Sequence, residues 1–299
     1  MFFNLHTHTY FSDGSSAPEE YLKEALRQGF NLLGFSDHSP VPFENNFALR
    51  EERLEEYVQA ISNLHPSTVH SPVGEGRQGW GLQGSGRGRG CQILLGLEID
   101  YIPGITAPID TYRNSNNFDY FIGSVHLVKN GNYPDLWFID GPDISIYESG
   151  LRDFFNGDIR HAVRSYYHQI NQLILTQKPD IIGHLDKIKM YNRNRYFRED
   201  ESWYVQLVDE ALDLIKENHC VVEVNTRGIY KKRSDSLFPG PDILRKIHAL
   251  NIPVTLSSDA HNPEELSLYF EEAKKLLSGI GFKALSVITS EGWKEISLE

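Results

Sequence analysis

Seven short apolar runs punctuate the chain, at residues 2–5, 32–35, 93–97, 120–125, 181–183, 221–224 and 254–256. They are rich in β-branched and aromatic residues and read as buried strands. Amphipathic stretches separate them. Pro18-Glu19-Glu20 opens a predicted helix that runs to Gln28 and stops at Gly29. Leu49, Leu54, Val58 and Ile61 predict a helix over 47–64. Ile159, Val163, Ile170 and Leu173 predict another over 157–177, and Val205, Val208, Leu212 and Ile215 one over 202–217. Asn262-Pro263-Glu264-Glu265 combines a cap, an N1 proline and two acids, which predicts a helix from there to Leu277. A last strand follows over 282–288. Repeated strand–helix units imply a parallel sheet, and seven or eight of them favour a closed or distorted β/α barrel over an open sheet. No GxGxxG follows the first strand, so a dinucleotide fold gains no support.

One segment, 66–90, breaks the pattern. Eight of the twenty residues in 71–90 are glycine, with Arg77, Arg87 and Arg89 against Glu75. Such a stretch cannot bury a core and is predicted to be a flexible surface loop on a single domain spanning 1–299. Arginine–glycine segments can bind RNA, but one this short inside an acidic domain supports that only weakly.

The polar residues that end the strands carry the chemistry. The first run ends in His6-Thr7-His8, with Asp13 five residues on. The second ends in Asp37-His38, the third in Glu98, the fourth in His126, the fifth in His184-Leu185-Asp186, the sixth in Asn225, and the seventh leads into Asp259-Ala260-His261. In β/α barrels that end of the strands builds the active site. Six of the chain's 12 histidines fall in these positions. His6 and His8 are two apart, as are Asp259 and His261, so in extended chain each pair points to one face. Imidazoles on one face, joined by carboxylates from other strands, make a site for a first-row metal such as Zn, Mn or Fe. The other six histidines, His65, His70, His161, His168, His219 and His248, sit in helix or loop contexts and read as bystanders.

Composition narrows the rest. Lys+Arg is 29 against Asp+Glu 41, a formal charge of −12, which argues against a protein built to coat nucleic acid or anionic membrane. Two cysteines, Cys91 and Cys220, are too few for a disulfide framework and point to the cytoplasm. No apolar run is long enough to span a bilayer, and the first residues lack the pattern of a signal peptide.

Taken in order, HTHTYFSDG, SDH, Glu98, SVH, GHLD and SSDAH resemble the polymerase-and-histidinol-phosphatase (PHP) family. GFSDHSP, GHLDKIKMYN and VTLSSDAH look most like its stand-alone histidinol-phosphatase type. The resemblance implies a distorted seven-stranded barrel holding three divalent metal ions. It assigns His6, His8, Glu98 and Asp259 to a first ion, Asp13, His38 and His261 to a second, and Glu98, His126 and His184 to a third, with Glu98 bridging. All nine positions hold a competent ligand type. The implied activity is hydrolysis of L-histidinol phosphate, a small phosphate monoester, by attack of a metal-bridging hydroxide on phosphorus. Asp259 and His261 are the best-placed acids for the leaving alkoxide. Cationic candidates for the phosphate are Lys187, Lys189, Arg193, Arg195 and Arg227, with the segment 189–195 favoured. The alternatives are a phosphoesterase or nuclease acting on another metabolite or on nucleic-acid ends, and a non-catalytic metal-dependent regulator. The acidic charge speaks against the former and the complete ligand set against the latter.

Overall fold

The computed structural model describes residues 1–64, 90–115, 118–131 and 135–298, so the predicted loop at 66–90 lies, apart from Gly90, outside the described residues. Strands β1 (Phe3–Asn4), β2 (Leu32–Phe35), β3 (Gln92–Asp100) and β4 (Tyr120–Ser124) come first. A short hairpin of β5 (Leu127–Lys129) and β6 (Leu136–Phe138) follows, then β7 (Ile181–Ile182), β8 (Val221–Asn225) and β9 (Val254–Ser257). The hairpin β10 (Ala284–Thr289) and β11 (Gly292–Ser297) ends the chain. One sheet runs β1-β2-β3-β4-β7-β8-β9 with every neighbouring pair parallel. It nearly closes into a barrel. The seam is a parallel bridge between Thr7 and Ala260, where the His8 N–H donates to the Ala260 carbonyl at 2.8 Å and the Ala260 N–H to the His6 carbonyl at 3.1 Å. The expected distorted seven-stranded barrel is therefore what forms, and its seam lies between the two segments richest in candidate ligands.

The barrel interior is filled from β4. Tyr120 is fully buried, and its hydroxyl donates to the carbonyls of Leu5 and Phe35, next to strands that β4 does not pair with. The ring must therefore cross the interior. Gly34 and Gly96 make room for it. A Cβ on Gly34 would lie 2.3 Å from the Tyr120 hydroxyl, and one on Gly96 would lie 2.6 Å from its ring. Gly96→Ala is expected to destabilise the fold by about 1–3 kcal/mol, the usual result of overpacking. Gly279→Ala, in the helix Phe270–Ile280, meets nothing within 4 Å among the described residues and should be neutral or slightly stabilising. Urea denaturation of the two variants checks the contrast.

Helices Pro18–Gln28 and Ser202–Glu217 stand where the pattern places them, the first stopped by Gly29 at φ 81°. Elsewhere local polar contacts override periodicity. The stretch 47–64 is helical only over Leu54–Ser62, after a 3₁₀ turn at Glu51–Arg53. Ahead of it the Asn45 side chain accepts the N–H groups of Phe47 (3.0 Å) and Ala48 (2.7 Å), an Asx-type turn that brings Phe47 edge-on to His38. The helix expected over 157–177 starts at Ile159, capped by Asp158, and an unpredicted helix Ile144–Phe155 precedes it. Asn156 and Gly157, both at positive φ, separate the two. The stretch expected as one helix from Asn262 divides into a 3₁₀ turn Pro263–Glu265 and the helix Phe270–Ile280, because Tyr269 takes φ 70° and Glu265 is drawn inward by the His261 N–H. The strand expected over 282–288 is β10, which pairs antiparallel with β11 and not with the barrel. Helix Pro241–Ala249 was not signalled by the pattern. Among the described residues no helix is long and apolar enough to cross a membrane.

Candidate metal centre

The C-terminal mouth of the barrel gathers all nine candidate ligands. His6 and His8 leave β1 on one side of the extended chain, their ring centroids 5.0 Å apart. His38 follows β2, His126 follows β4 and His184 follows β7. Glu98 belongs to β3 itself. Asp259 and His261 come from the seam after β9, Asp259 with φ 55°, and Asp13 arrives on the loop before the first helix. Nearly all are buried, and Asp13 and His261 are the ones that reach the surface.

Glu98 is the centre of the arrangement. Its Oε2 lies 3.2 Å from His6 Nε2, 3.4 Å from His8 Nε2 and 3.2 Å from His38 Nδ1. Its Oε1 lies 3.0 Å from His184 Nε2 and 3.6 Å from His126 Nε2. His8 Nε2 is 3.4 Å from Asp259 Oδ1, and His261 Nε2 is 3.1 Å from Asp13 Oδ2. Donor atoms around a tetrahedral ion with bonds of about 2.1 Å sit about 3.4 Å apart. Apart from His38 Nδ1, which is turned to Asp100, these spacings have that scale. Three groups of donors lie within 4.8 Å of one another: His8, Asp13, His38 and His261; His6, His8 and Asp259; Glu98, His126 and His184. His6 Nε2 and His8 Nε2 are buried and have no hydrogen-bond partner among the described residues. Orphaned buried nitrogens are costly unless something satisfies them, and a cation held among these donors does so. The residues fit a multinuclear metal site.

Electrostatics agree with that use. Burial, with His261 and His38 nearby, lowers the His8 pKa to about 3, so His8 offers a neutral lone pair. Against burial, the carboxylates of Asp100, Glu98 and Asp13 raise His38 to about 10, and Glu223, Glu98 and Asp259 hold His6 well above its ordinary value. Glu98 and Asp259 resist their own burial and stay ionised, His6 being the largest opposing charge for each.

A second layer holds the ligands, and sequence reasoning missed most of it. Asp100 accepts from two imidazoles at once, His38 Nδ1 at 2.8 Å and His126 Nδ1 at 2.6 Å. Asp100 also completes a fourth donor group with those histidines. Glu223 takes His6 Nδ1 at 2.6 Å and the His184 N–H at 2.8 Å. Asp37 accepts the Thr9 N–H at 2.8 Å and the Ser12 hydroxyl at 2.6 Å, pinning the loop that leads to Asp13. A signal existed for the first of these. Asp100 is two residues from Glu98 on one strand, so both face the same side.

The cationic candidates separate in space. Arg227 lines the cavity over the donors, about 300 Å³ in volume, together with Arg233, Asp140, His126, His38 and His261. Its Nη1 donates to the Asp259 carbonyl at 2.7 Å, and its Nε is buried without a hydrogen-bond partner among the described residues. Lys189 and Arg193 line a different cleft of about 510 Å³. There Lys189 pairs with Asp186 at 2.7 Å and Arg193 with Asp235 at 3.1 Å. Arg195 pairs with Glu148 at 3.0 Å on the surface. Lys187 is buried behind Asp140, 2.7 Å from its Oδ2 and 3.9 Å from Asp259 Oδ2. Arg233 and Asp140 sit on connections with no periodic pattern, and nothing in the sequence singles them out.

The chain is similar to several known proteins. A curated Bacillus subtilis protein named histidinol-phosphatase is 26% identical over 287 residues, covering 89% of this chain and 96% of its own. A Deinococcus radiodurans protein named "probable histidinol-phosphatase" is 27% identical over 284 residues, covering 94% of each. A Lactococcus lactis histidinol phosphate phosphatase, solved with zinc, L-histidinol and phosphate, superposes with a TM-score of 0.67 at 20% identity, over 98% of both chains. A Listeria monocytogenes structure superposes at 0.71 with 19% identity, over 90% of this chain and 99% of that one. The PHP domain matches residues 4–227, well over half of the chain and seven of the nine candidate ligands, and the chain belongs to the PHP domain family.

Proposed function

We propose that this protein is a metal-dependent phosphomonoesterase that hydrolyses L-histidinol phosphate to L-histidinol and phosphate in the cytoplasm. The observation that carries the reading is the convergence of five histidines on the two oxygens of Glu98 at 3.0–3.6 Å, under a small cavity that carries arginine. The names of the curated relatives support the substrate. His6, His8, Glu98 and Asp259 would hold one divalent ion, Asp13, His38 and His261 a second, and Glu98, His126 and His184 a third, of Zn, Mn or Fe type. Ions held there supply Lewis-acid neutralisation of the phosphoryl charge and acidify water at neutral pH.

The chain's own groups do the rest. Arg227, with its unpartnered Nε, donates to the phosphate, and Arg233 flanks it. Asp140 and Lys187 hold that wall in place. The nucleophile is water. Burial pushes the thiol of Cys91 up to about 12 and, helped by Asp180, that of Cys220 up to about 11, so neither supplies a thiolate. His261 lines the pocket and the ionised Asp259 lies behind it; the pair would take a proton from the attacking water and pass it to the leaving oxygen.

Phosphate release from histidinol phosphate by metal-replete protein, set against phosphoserine and glycerol phosphate, tests the reading. Weak and unselective turnover would remove the substrate assignment. A second check concerns Asp100. Asp100→Asn keeps the shape and removes the charge that orients His38 and His126, so metal affinity or activity should fall about 10–100-fold, as when a carboxylate behind a ligand is lost. Metal titration of the stripped variant measures it. An unchanged affinity would show that the imidazoles hold their orientation without Asp100.

A further inference from the structure

The cavity over the donors has one apolar wall, and nothing in the proposed chemistry at phosphorus uses it. Phe47 and Phe138 both line the cavity. Their rings are stacked, centroids 5.7 Å apart and planes 14° from parallel. Both are only partly buried, so each keeps a face or edge free. Phe47 also stands edge-on to the candidate ligand His38, centroids 5.5 Å apart, which places the aromatic wall within one ring of the donor cluster.

The wall is built from beneath. Phe138 ends β6 and pairs across the hairpin with Leu127. Phe47 is fixed by the Asn45 turn, whose side chain accepts its N–H at 3.0 Å. Both rings pack on a small hydrophobic cluster of Ile102, Leu127 and Leu136, separate from the two cores of the barrel. A satellite cluster of this kind is not needed to close the barrel. Its one evident product is a rigid pair of aromatic rings at the mouth. Beside them Asn46 brings an exposed amide to the cavity rim, a group able to donate to or accept from a ring nitrogen.

Resting on the activity proposed above, we infer that Phe47 and Phe138 are the specificity element of the site, which receives the planar heteroaromatic end of the substrate and selects imidazole-bearing phosphate monoesters over aliphatic ones. The phosphate end needs cations and the metal donors, which Arg227 and the nine ligands offer. The imidazole end needs a flat apolar surface for stacking, and these two rings are the aromatic side chains, other than ligand histidines, among the described residues lining the cavity.

The test compares two substrates. Histidinol phosphate and phosphoethanolamine share a phosphate monoester and an ammonium, and only the first carries a ring. The wild-type holoenzyme should prefer histidinol phosphate in kcat/KM. Phe138→Leu keeps apolar bulk and loses the ring. It should raise KM for histidinol phosphate about tenfold, the scale of a lost stacked contact, and lower the ratio of the two kcat/KM values by a similar factor. Phe138→Tyr keeps a ring and should keep the ratio. Thermal melts of both variants separate a lost contact from a collapsed hairpin. A wild-type preference that persists within twofold in Phe138→Leu and in Phe47→Leu overturns the wall as the specificity element while leaving the activity standing. A wild-type enzyme with no preference overturns the substrate reading, and the wall with it.

Discussion

Glu98→Gln is expected to lower kcat/KM for histidinol phosphate by at least about 10³-fold, well beyond the 10–100-fold typical of a residue that only orients a ligand. Glutamine has nearly the same shape, and Glu98 is buried at 1% exposure, so packing is little disturbed. The charge is what changes. Glu98 faces the histidines of every proposed ion except His261, with His6 and His8 on one side, His126 and His184 on the other, and His38 beside them. A neutral amide would turn an N–H₂ donor toward at least one of these nitrogens. Two proposed sites lose a ligand together, so metal analysis of the purified variant should show more than one ion per chain missing. A variant that retains full metal content and loses less than tenfold in activity would show that no ion is bridged at Glu98.

Much of this centre was legible because strand periodicity and strand ends are local properties. His6 and His8 share a face by their spacing alone, and the ends of the apolar runs place His38, His126 and His184 at one rim once the sheet is parallel. The second layer was harder. Asp100 and Glu223 are carboxylates inside or at the ends of strands, and only their three-dimensional partners distinguish them from the first-layer acids. Of the cationic candidates, Arg227 lines the cavity and the others lie elsewhere. Lys189, Arg193 and Arg195 follow a ligand-bearing strand closely, but Asp186, Asp235 and Glu148 draw them away from the cavity. Arg233 reaches the cavity from a connection after β8, where no period constrains direction. The helix boundaries failed similarly. At Asp158 and Tyr269 a side-chain contact or a positive φ decides where a helix begins, at Asn45 a side-chain turn engages the N–H groups of Phe47 and Ala48 ahead of one, and hydrophobic spacing reports none of these.

Removing the metal should cost the fold as well as the activity. Chelator-treated protein is expected to melt on the order of 10–20 °C lower than protein with saturating Zn or Mn. At a hundred times its Kd each ion adds about 2.7 kcal/mol, so three add about 8, and a chain of this size moves about 2 °C per kcal/mol. The stripped protein should still fold, because the site compensates by taking up protons. His38 is raised to about 10, mainly by Asp100 once burial is overcome, and His6 is raised well above its usual value by Glu223. The sign follows from linkage. A histidine whose folded pKa is raised contributes stability that is fully present below its unfolded pKa of about 6.5. That contribution fades as pH climbs toward about 10 at His38. The metal-free protein should therefore lose this contribution from pH 7 to 9, while the metal, which must displace those protons, binds more tightly. The gap between the two melting temperatures should widen over that range. Differential scanning calorimetry at several pH values measures it. A gap below about 2 °C at every pH, or one that narrows as pH rises, would mean that these histidines do not carry the metal.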